Sequence, residues 1–472
     1  MSVIKKIFIV LLFLLIVTPV FASVSLQKSL DDLVKVSDAV RTSDASVYVC
    51  NSSGRAIYEY NSDMLMAPAS NLKILTTASA LHYLGSNYKY KTSVYGTPID
   101  KERGVMESSL YLVGSGDPTF REPFLNNSMD ILEEFAKTLS EKGLRRFTGD
   151  LIGDDSVFDR EFVGVGWKKT YMLDDYAAQC AGLSLNSNLI RLTLANGIPT
   201  FFPDCSIMNV NDRTTSGTYT DINIDRTPDT NNITVNGTIA PWEAGGATFT
   251  VHNPSLFTTD AFDKVLKNQN IYMTGNVKLL PSTEKRYKYS QFIELASHES
   301  PELIEILKVM MKESDNLLAQ HIFKTVGAEV NGIGTRANSE KAVLDFLKEA
   351  GVDTEGLSMA DGCGLSVENK ITTKQMGKFL SYMLTQKEKD DFISTFPKAG
   401  VDGTLRYRMP NLDVRAKTGT INGCSSLCGY VYAPDGEIYV FAVITNNHTT
   451  GPSKYKGFED SIAEIIYKTC VD

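Results

Sequence analysis

The chain is expected to fold as an α/β (α+β) protein in which helices and an antiparallel sheet from the two chain ends make one domain, split by a long, mostly β insertion. Three features lead there. Residues 23–91 pair a hairpin pattern with an apolar-striped helix. Residues 92–290 change texture, to short alternating segments separated by Gly, Asn, Asp and Pro. Residues 291–472 turn helical again and finish on alternating apolar runs. At 472 residues the chain exceeds one comfortable core, so two or three domains are expected.

The first segment, Met1–Ala22, has a basic start at Lys5 and Lys6, an apolar run from Ile7 to Val17 and a small-residue ending at Val20-Phe21-Ala22. That pattern predicts a secretory signal peptide rather than a retained anchor. No cysteine stands near the cut, which argues against a lipid-anchored lipoprotein. No later segment is long and apolar enough to span a bilayer. An exported chain without a C-terminal amphipathic anchor pattern is expected in a periplasm in preference to a Gram-positive exterior. The formal charge is −9, and losing Lys5 and Lys6 makes it two more negative. An acidic mature chain has no broad basic surface for nucleic acid.

Strand formers at Val47-Tyr48-Val49 and Ala56-Ile57-Tyr58, with Asn51-Ser52-Ser53-Gly54 between them, predict a hairpin. Ala67-Pro68-Ala69-Ser70 then opens a helix whose stripe is Leu72, Leu75, Ala78, Ala80, Leu81 and Leu84, with Gly85 able to stop it. Within the insertion, 109–113, 220–224 and 231–236 alternate as strands, and 127–143 is the one helical exception. One or two inserted domains are expected there. Helical patterns follow at 301–323, 337–350 and 373–385. Val414 to Asn447 reads as successive antiparallel strands with a Pro434-Asp435-Gly436 turn, and a last helix is expected near 457–468.

Seven cysteines are present: Cys50, Cys180, Cys205, Cys363, Cys424, Cys428 and Cys470. The odd count leaves at least one thiol unpaired within a monomer, and an exported chain can oxidise the others. Cys180 with Cys205 is the favoured pair. Cys424 and Cys428 fall on one strand, where four residues span roughly 13 Å, beyond disulfide reach. Neither C-x-x-C nor a zinc spacing of Cys and His occurs, so no metal is expected.

Three short motifs follow one another: Ser70-Asn71-Leu72-Lys73, Ser314-Asp315-Asn316 and Lys417-Thr418-Gly419. The first pattern, S-x-x-K, also starts at Ser25, Ser86, Ser282 and Ser453, so spacing alone does not select Ser70. Its setting does. Pro68 and the apolar stripe place Ser70 at a helix N-terminus, where backbone N–H groups favour a developing anion. Lys73 is one turn on, on the same face, and a neutral lysine there can take the Ser70 proton. Taken alone, this motif reads better as a plain N-cap at Ser70. S-x-N also occurs at Ser184, and Ser314-Asp315-Asn316 can be a polar turn between helices. Lys417 lies in an alternating strand, and Gly419 would let a substrate backbone approach as an added strand. Together the three motifs form the signature of penicillin-binding proteins and class A β-lactamases.

Further segments extend the likeness: Ala67 to Lys73, Gly114-Ser115-Gly116-Asp117-Pro118, Asp154-Asp155-Ser156-Val157-Phe158, Gly166-Trp167 and Leu183-Ser184-Leu185-Asn186. Asp361-Gly362-Cys363-Gly364-Leu365-Ser366, Gly400-Val401-Asp402-Gly403-Thr404-Leu405 and Ala416-Lys417-Thr418-Gly419-Thr420 complete it. On these the chain resembles the class C low-molecular-mass penicillin-binding proteins, the D-alanyl-D-alanine carboxypeptidase/endopeptidase family of serine peptidases. The long stretch between Lys73 and Ser314 fits, because that family inserts two extra domains there. Cys363 departs from it, standing where the family has serine or another small residue; a buried thiol is the expectation.

The resemblance implies the chemistry. Ser70 attacks the carbonyl between two D-alanines of a peptidoglycan stem peptide, with Lys73 as general base. Ser314 relays a proton to the leaving amine, Asn316 holds the substrate amide, and Lys417 supplies positive charge. Thr418 and Thr420 bind the terminal carboxylate or its β-lactam mimic, and the Ser70 and Thr420 N–H groups form an oxyanion hole. β-Lactam antibiotics are expected to acylate and inhibit the enzyme, and no cofactor is implied. In this family an acidic residue of the insertion can meet the amino end of diaminopimelate; Asp154, then Asp155, are the candidates, with a turn as the equal alternative. A class A β-lactamase needs an E-x-x-L-N glutamate that is not found after Asn316. A Ser-His-Asp hydrolase lacks G-x-S-x-G, and a zinc peptidase lacks H-E-x-x-H. A non-catalytic wall-binding relative would be expected to have lost Ser70, Lys73 or Lys417.

Overall fold

A computed structural model describes residues 25–282 and 286–469; the leader Met1–Ala22 and Cys470 lie outside the described residues. The chain forms two compact units, each discontinuous. The first takes the chain up to His82, Leu307–Asp315 and Val343 onward; the second takes Tyr83–Ile306 and Asn316–Ala342. The expected split at 91/92 and 290/291 therefore moves. Strand Ile293–Glu299 pairs antiparallel with Lys91–Gly96, and the Leu303 and Ile304 amides bond to the Tyr88 and Ser86 carbonyls, which ties 83–91 and 291–306 to the insertion. Helix Asn316–Asn331 belongs with it too.

In the first unit a five-stranded antiparallel sheet runs in the order Val414–Ile421, Cys424–Tyr432, Ile438–Asn446, Asp44–Asn51, Ala56–Tyr60. The two predicted hairpins are both present, each turned by a glycine at positive φ, Gly54 and Gly436. Cys424–Tyr432 is buried along almost its whole length, which is why its sequence runs apolar without alternating. Helix Ser453–Thr469 lays Phe458, Ile462 and Ile466 on a core with Val47, Val49, Leu427, Phe441 and Val443. Helix Thr373–Met383, capped reciprocally by Thr372 and Gln375, also packs on the sheet; a Cβ on its Gly377 would come 2.3 Å from the Tyr48 ring.

The second unit has a five-stranded mixed sheet, Val277–Leu279, Leu151–Asp154, Leu110–Val113, Lys91–Gly96, Ile293–Glu299, and three smaller three-stranded sheets. The 109–113, 220–224 and 231–236 strands form as expected. The insertion is less purely β than its texture suggests. Besides Asp130–Glu141 it carries helix Pro254–Asn268, whose Phe257, Phe262 and Val265 pack with Leu132 and Phe135. Its start was readable: Asn253 caps the Leu256 amide and Pro254 takes the first helical position.

The 301–323 pattern is not one helix. Leu303–Glu313 ends, Ser314 takes φ +61, and a new helix starts at Asn316. A serine in the left-handed region is strained, and the motif sits at that break. Cys180 and Cys205 are not paired. Both are free and buried in separate apolar clusters, Cys180 beside Val157 and Phe158, Cys205 beside Leu192 and Val235. Cys424 and Cys428 are free on their shared strand. Among the described residues no helix is long and apolar enough to cross a membrane.

Candidate active site

Ser70 is not a cap. The chain makes a 3-10 turn over Ala69–Leu72 before helix Lys73–Leu84, with Pro68 ahead of the turn and Ala69 at φ +48. The strained turn turns Ser70 toward Lys73, whose Nζ lies 3.0 Å from Ser70 Oγ. Two glycines make the turn possible. A Cβ on Gly364 would sit 1.8 Å from the Ala69 carbonyl oxygen, and one on Gly419 would sit 2.3 Å from Ser426 Oγ and 2.8 Å from the Pro68 carbonyl oxygen. Ser426 donates to that same Pro68 carbonyl at 2.6 Å and accepts from Asn71 Nδ2 at 2.6 Å. The Lys-Thr-Gly strand thus braces the nucleophile turn through Gly419.

Lys73 is fully buried, and its Nζ donates to the Cys363 carbonyl at 2.7 Å. Burial pulls its pKa below the ordinary lysine value, outweighing the opposing pull of Asp361 and Asp315. A neutral amine can donate to that carbonyl and still turn its lone pair to the Ser70 hydroxyl. The loop holding Cys363 is fixed by Asp361, whose carboxylate accepts from the Cys363, Gly364 and Ser366 amides and from Asn369 Nδ2. The Cys363 thiol is buried and pushed well above its ordinary value, chiefly by burial, so this residue acts through its carbonyl.

Lys417 Nζ donates to Ser314 Oγ at 2.9 Å and to the Thr418 carbonyl at 2.8 Å. It too is fully buried, and burial, then the charge of Lys73, holds its pKa well below the ordinary value. The charge of Lys73 thus disfavours a proton on Lys417. Lys417 lies on Val414–Ile421, the edge strand of the sheet. Pro397 and Ala399 cover the near end of that edge, the Ala416 amide donating to Pro397 O and the Val414 carbonyl accepting from Ala399 N. Alternation then points the backbone groups of Thr418 and Thr420 outward along the same edge. This is where an added substrate strand and an oxyanion would find N–H donors.

Sequence reasoning named the motifs and missed their supports. Thr418 Oγ1 lies 2.7 Å from Thr404 Oγ1. The Thr404 turn is anchored by Asp402, which bonds Lys312 Nζ at 2.6 Å and the Lys398 amide at 2.8 Å. The Gly400-to-Leu405 segment was the available signal. In the second unit Asn316 Nδ2 donates to the Tyr176 carbonyl at 2.8 Å.

The structure brings neither Asp154 nor Asp155 forward as a free carboxylate. Asp154 is buried and accepts from Tyr289 Oη at 2.7 Å and the Ser156 amide at 2.8 Å. Asp155 is buried and paired with Arg160 at 2.8 Å. Both oxygen pairs already have partners, an arrangement that suits the turn that was the alternative reading. Ser184, the second S-x-N serine, bonds His321 in the second unit. Among the described residues no group of three or more His, Cys, Asp or Glu side chains is arranged to hold a metal.

The D-Ala-D-Ala carboxypeptidase 3 (S13) family model matches residues 26–468. The chain belongs to that family. The D-alanyl-D-alanine carboxypeptidase of Actinomadura sp. (strain R39) is 31% identical over 454 residues, 88% of this chain and 80% of that protein. DacB of Haemophilus influenzae, also a D-alanyl-D-alanine carboxypeptidase, is 28% identical over 444 residues, covering 87% and 88%. The crystal structure of penicillin-binding protein 4 from Haemophilus influenzae superposes with a TM-score of 0.78 at 24% identity over 93% of this chain and 99% of that one, which shows the fold. Family membership makes the chain a serine-type hydrolase of D-alanyl-D-alanine peptides and puts the β-lactamase and non-catalytic readings aside.

Proposed function

We propose that the chain is an exported, periplasmic D-alanyl-D-alanine carboxypeptidase/endopeptidase that trims peptidoglycan stem peptides and cleaves their cross-links through an acyl-enzyme on Ser70. The observation that carries the assignment of Ser70 is its 3.0 Å approach to a fully buried Lys73 whose ammonium is disfavoured.

Lys73 takes the Ser70 proton as Oγ bonds to the carbonyl carbon of the penultimate D-alanine. The developing oxyanion is met by the Ser70 and Thr420 amides. The proton that Lys73 took is relayed through Ser314, held by Lys417 at 2.9 Å, to the departing amine, and the C–N bond breaks. Asn316 holds the substrate amide, while Thr418 and Thr420, on the strand that Gly419 lets pack against the nucleophile turn, take the terminal carboxylate. Water then attacks the ester, with the proton path reversed, and releases the shortened peptide. A β-lactam enters the same path, but its ring-opened amine stays attached and the ester is long-lived. The polar lining needs no cofactor for this sequence of proton transfers. The basic start and apolar run of Met1–Ala22 support the exported address.

Intact-mass spectrometry of the mature protein after fluorescent-penicillin treatment, beside Ser70→Ala, tests the reading. A single adduct absent from Ser70→Ala is expected. A folded wild type that takes up no adduct would overturn the catalytic assignment.

A further inference from the structure

We propose that three segments of the insertion, residues 114–118, 155–161 and 184–188, form a clasp on helix Asn316–Asn331, and that His321 is the positioning residue through which the clasp sets Asn316. The proposal rests on the substrate-holding role given to Asn316 above. It explains segments for which the catalytic steps found no use, although they belong to the family likeness.

The helix is gripped at three heights. Asn316 Nδ2 bonds the Tyr176 carbonyl at its first residue. Five residues on, His321 is fully buried, with Nδ1 2.8 Å from the Gly116 carbonyl and Nε2 3.1 Å from Ser184 Oγ. A carbonyl only accepts, so Nδ1 carries the proton. In the neutral ring Nε2 then accepts from the Ser184 hydroxyl, whose oxygen accepts in turn from Asn188 Nδ2 at 3.0 Å. Three residues further, Lys324 Nζ bonds Asp159 Oδ1 at 2.5 Å and the Glu161 carbonyl at 2.8 Å. From 316 to 324 the grip covers roughly 12 Å of helix.

The partners are themselves fixed. Gly116 has φ +80, and a Cβ there would lie 2.3 Å from the Phe158 ring, so its carbonyl is aimed by a conformation only glycine holds at no steric cost. Phe158 stands edge-on to the His321 ring at 5.8 Å, and its neighbours bond Gly334 beyond the far end of the helix. The Gly114 amide bonds the Asp154 carbonyl, which ties the first segment to the strand leading into the second.

A core needing only to be filled would be served by leucine at 321, without the desolvation of an imidazole. What two directional bonds add is a fixed rotation and height for the helix. Asn316 is the residue with most to lose from a shift, since about 1 Å of misplacement costs up to a hundredfold in rate.

The test is a double-mutant cycle on the full mature chain, reading the acylation rate constant and the noncovalent affinity for fluorescent penicillin separately. His321→Leu is expected to lower the rate constant about tenfold with affinity little changed, and His321→Asn, whose Nδ2 takes the place of Nδ1, to restore most of it. In an Asn316→Ala background His321→Leu is expected to change the rate less than twofold. The same tenfold loss in both backgrounds would overturn the positioning role and leave the catalytic reading untouched, as would a wild-type rate in His321→Leu. Wild-type acylation by Asn316→Ala alone would remove the role of Asn316 and this proposal with it. Should His321→Leu fail to fold by circular dichroism, Ser184→Ala, which removes the partner of Nε2 together with an acceptor for Asn188 Nδ2, goes through the same cycle with the same criteria.

Discussion

Lys73 and Lys417 in the first unit and Asp154 and Asp155 in the second are four ionisable groups that the fold has withdrawn almost wholly from water. Their surroundings differ. The aspartates are met by a tyrosine hydroxyl, a backbone amide and a guanidinium, and serve as part of the scaffold. The lysines donate to carbonyls and serine hydroxyls, and burial lowers both pKa values, at Lys73 against the pull of nearby carboxylates and at Lys417 with the charge of Lys73 adding to it. A buried charge that is well compensated holds a fold together; one whose neutral form is favoured can exchange a proton. Position in the sequence distinguishes the pairs poorly, because both stand in conspicuous short motifs.

Lys73→Met breaks the contrast most severely. It keeps the volume and removes the base, so the acylation rate constant should fall about a thousandfold, within the range for loss of a general base. Thermal stability should hold, since an amine that is costly to charge has been removed. The wild-type pH profile sharpens the point. The neutral amine is the active form and its pKa is lowered, so the rate should climb with pH and level off below the ordinary lysine value of 10.5. A rate still climbing through that value would place Lys73 among ordinary lysines and erase the difference.

Asp155→Ala tests the other side. Taking the carboxylate from Arg160, which keeps the Leu280 carbonyl, should lower stability by about 3 kcal/mol in urea denaturation, with an effect on the penicillin acylation rate far smaller than that of Lys73→Met. Asp154→Asn extends the test to substrate. Stem peptides with and without a free diaminopimelate amine should be affected alike; a selective rise in KM for the first would return Asp154 to the substrate side.

The motifs and the sheet were legible because they rest on local rules. Pro68 before a striped helix, alternation around Lys417 and the Pro434-Asp435-Gly436 turn each carry their signal within a few residues. What escaped depends on contacts distant along the chain. The Thr418 hydroxyl meets Thr404 only because Asp402 ties that turn to Lys312. The unit boundary moved because Ile293–Glu299 finds its partner strand at Lys91–Gly96. Cys180 and Cys205 looked like a pair by cysteine arithmetic, which counts thiols without placing them. Helix Pro254–Asn268 was a different loss: its cap and apolar stripe were local, but the β texture around them outweighed the reading.

Asp117 gives the smallest expected effect and joins the two halves of the comparison. It lies in the insertion, buried like Asp155, but only Oδ1 is engaged, by the Thr119 amide at 2.8 Å and hydroxyl at 2.7 Å, while Oδ2 has no partner. Burial raises its pKa from 3.8 to about 6 despite those bonds. Folded Asp117 therefore holds a proton that the unfolded chain has released between those values. Its contribution to stability is favourable below that window and is lost as pH rises through it. Asp117→Asn keeps the Oδ1 acceptor and removes the charge, so it should stabilise the protein by about 2 kcal/mol near pH 7.5 and by much less near pH 4. Urea midpoints of both proteins at the two pH values decide it. An equal difference at both would mean that Asp117 is compensated after all, and belongs with Asp155 rather than with the lysines.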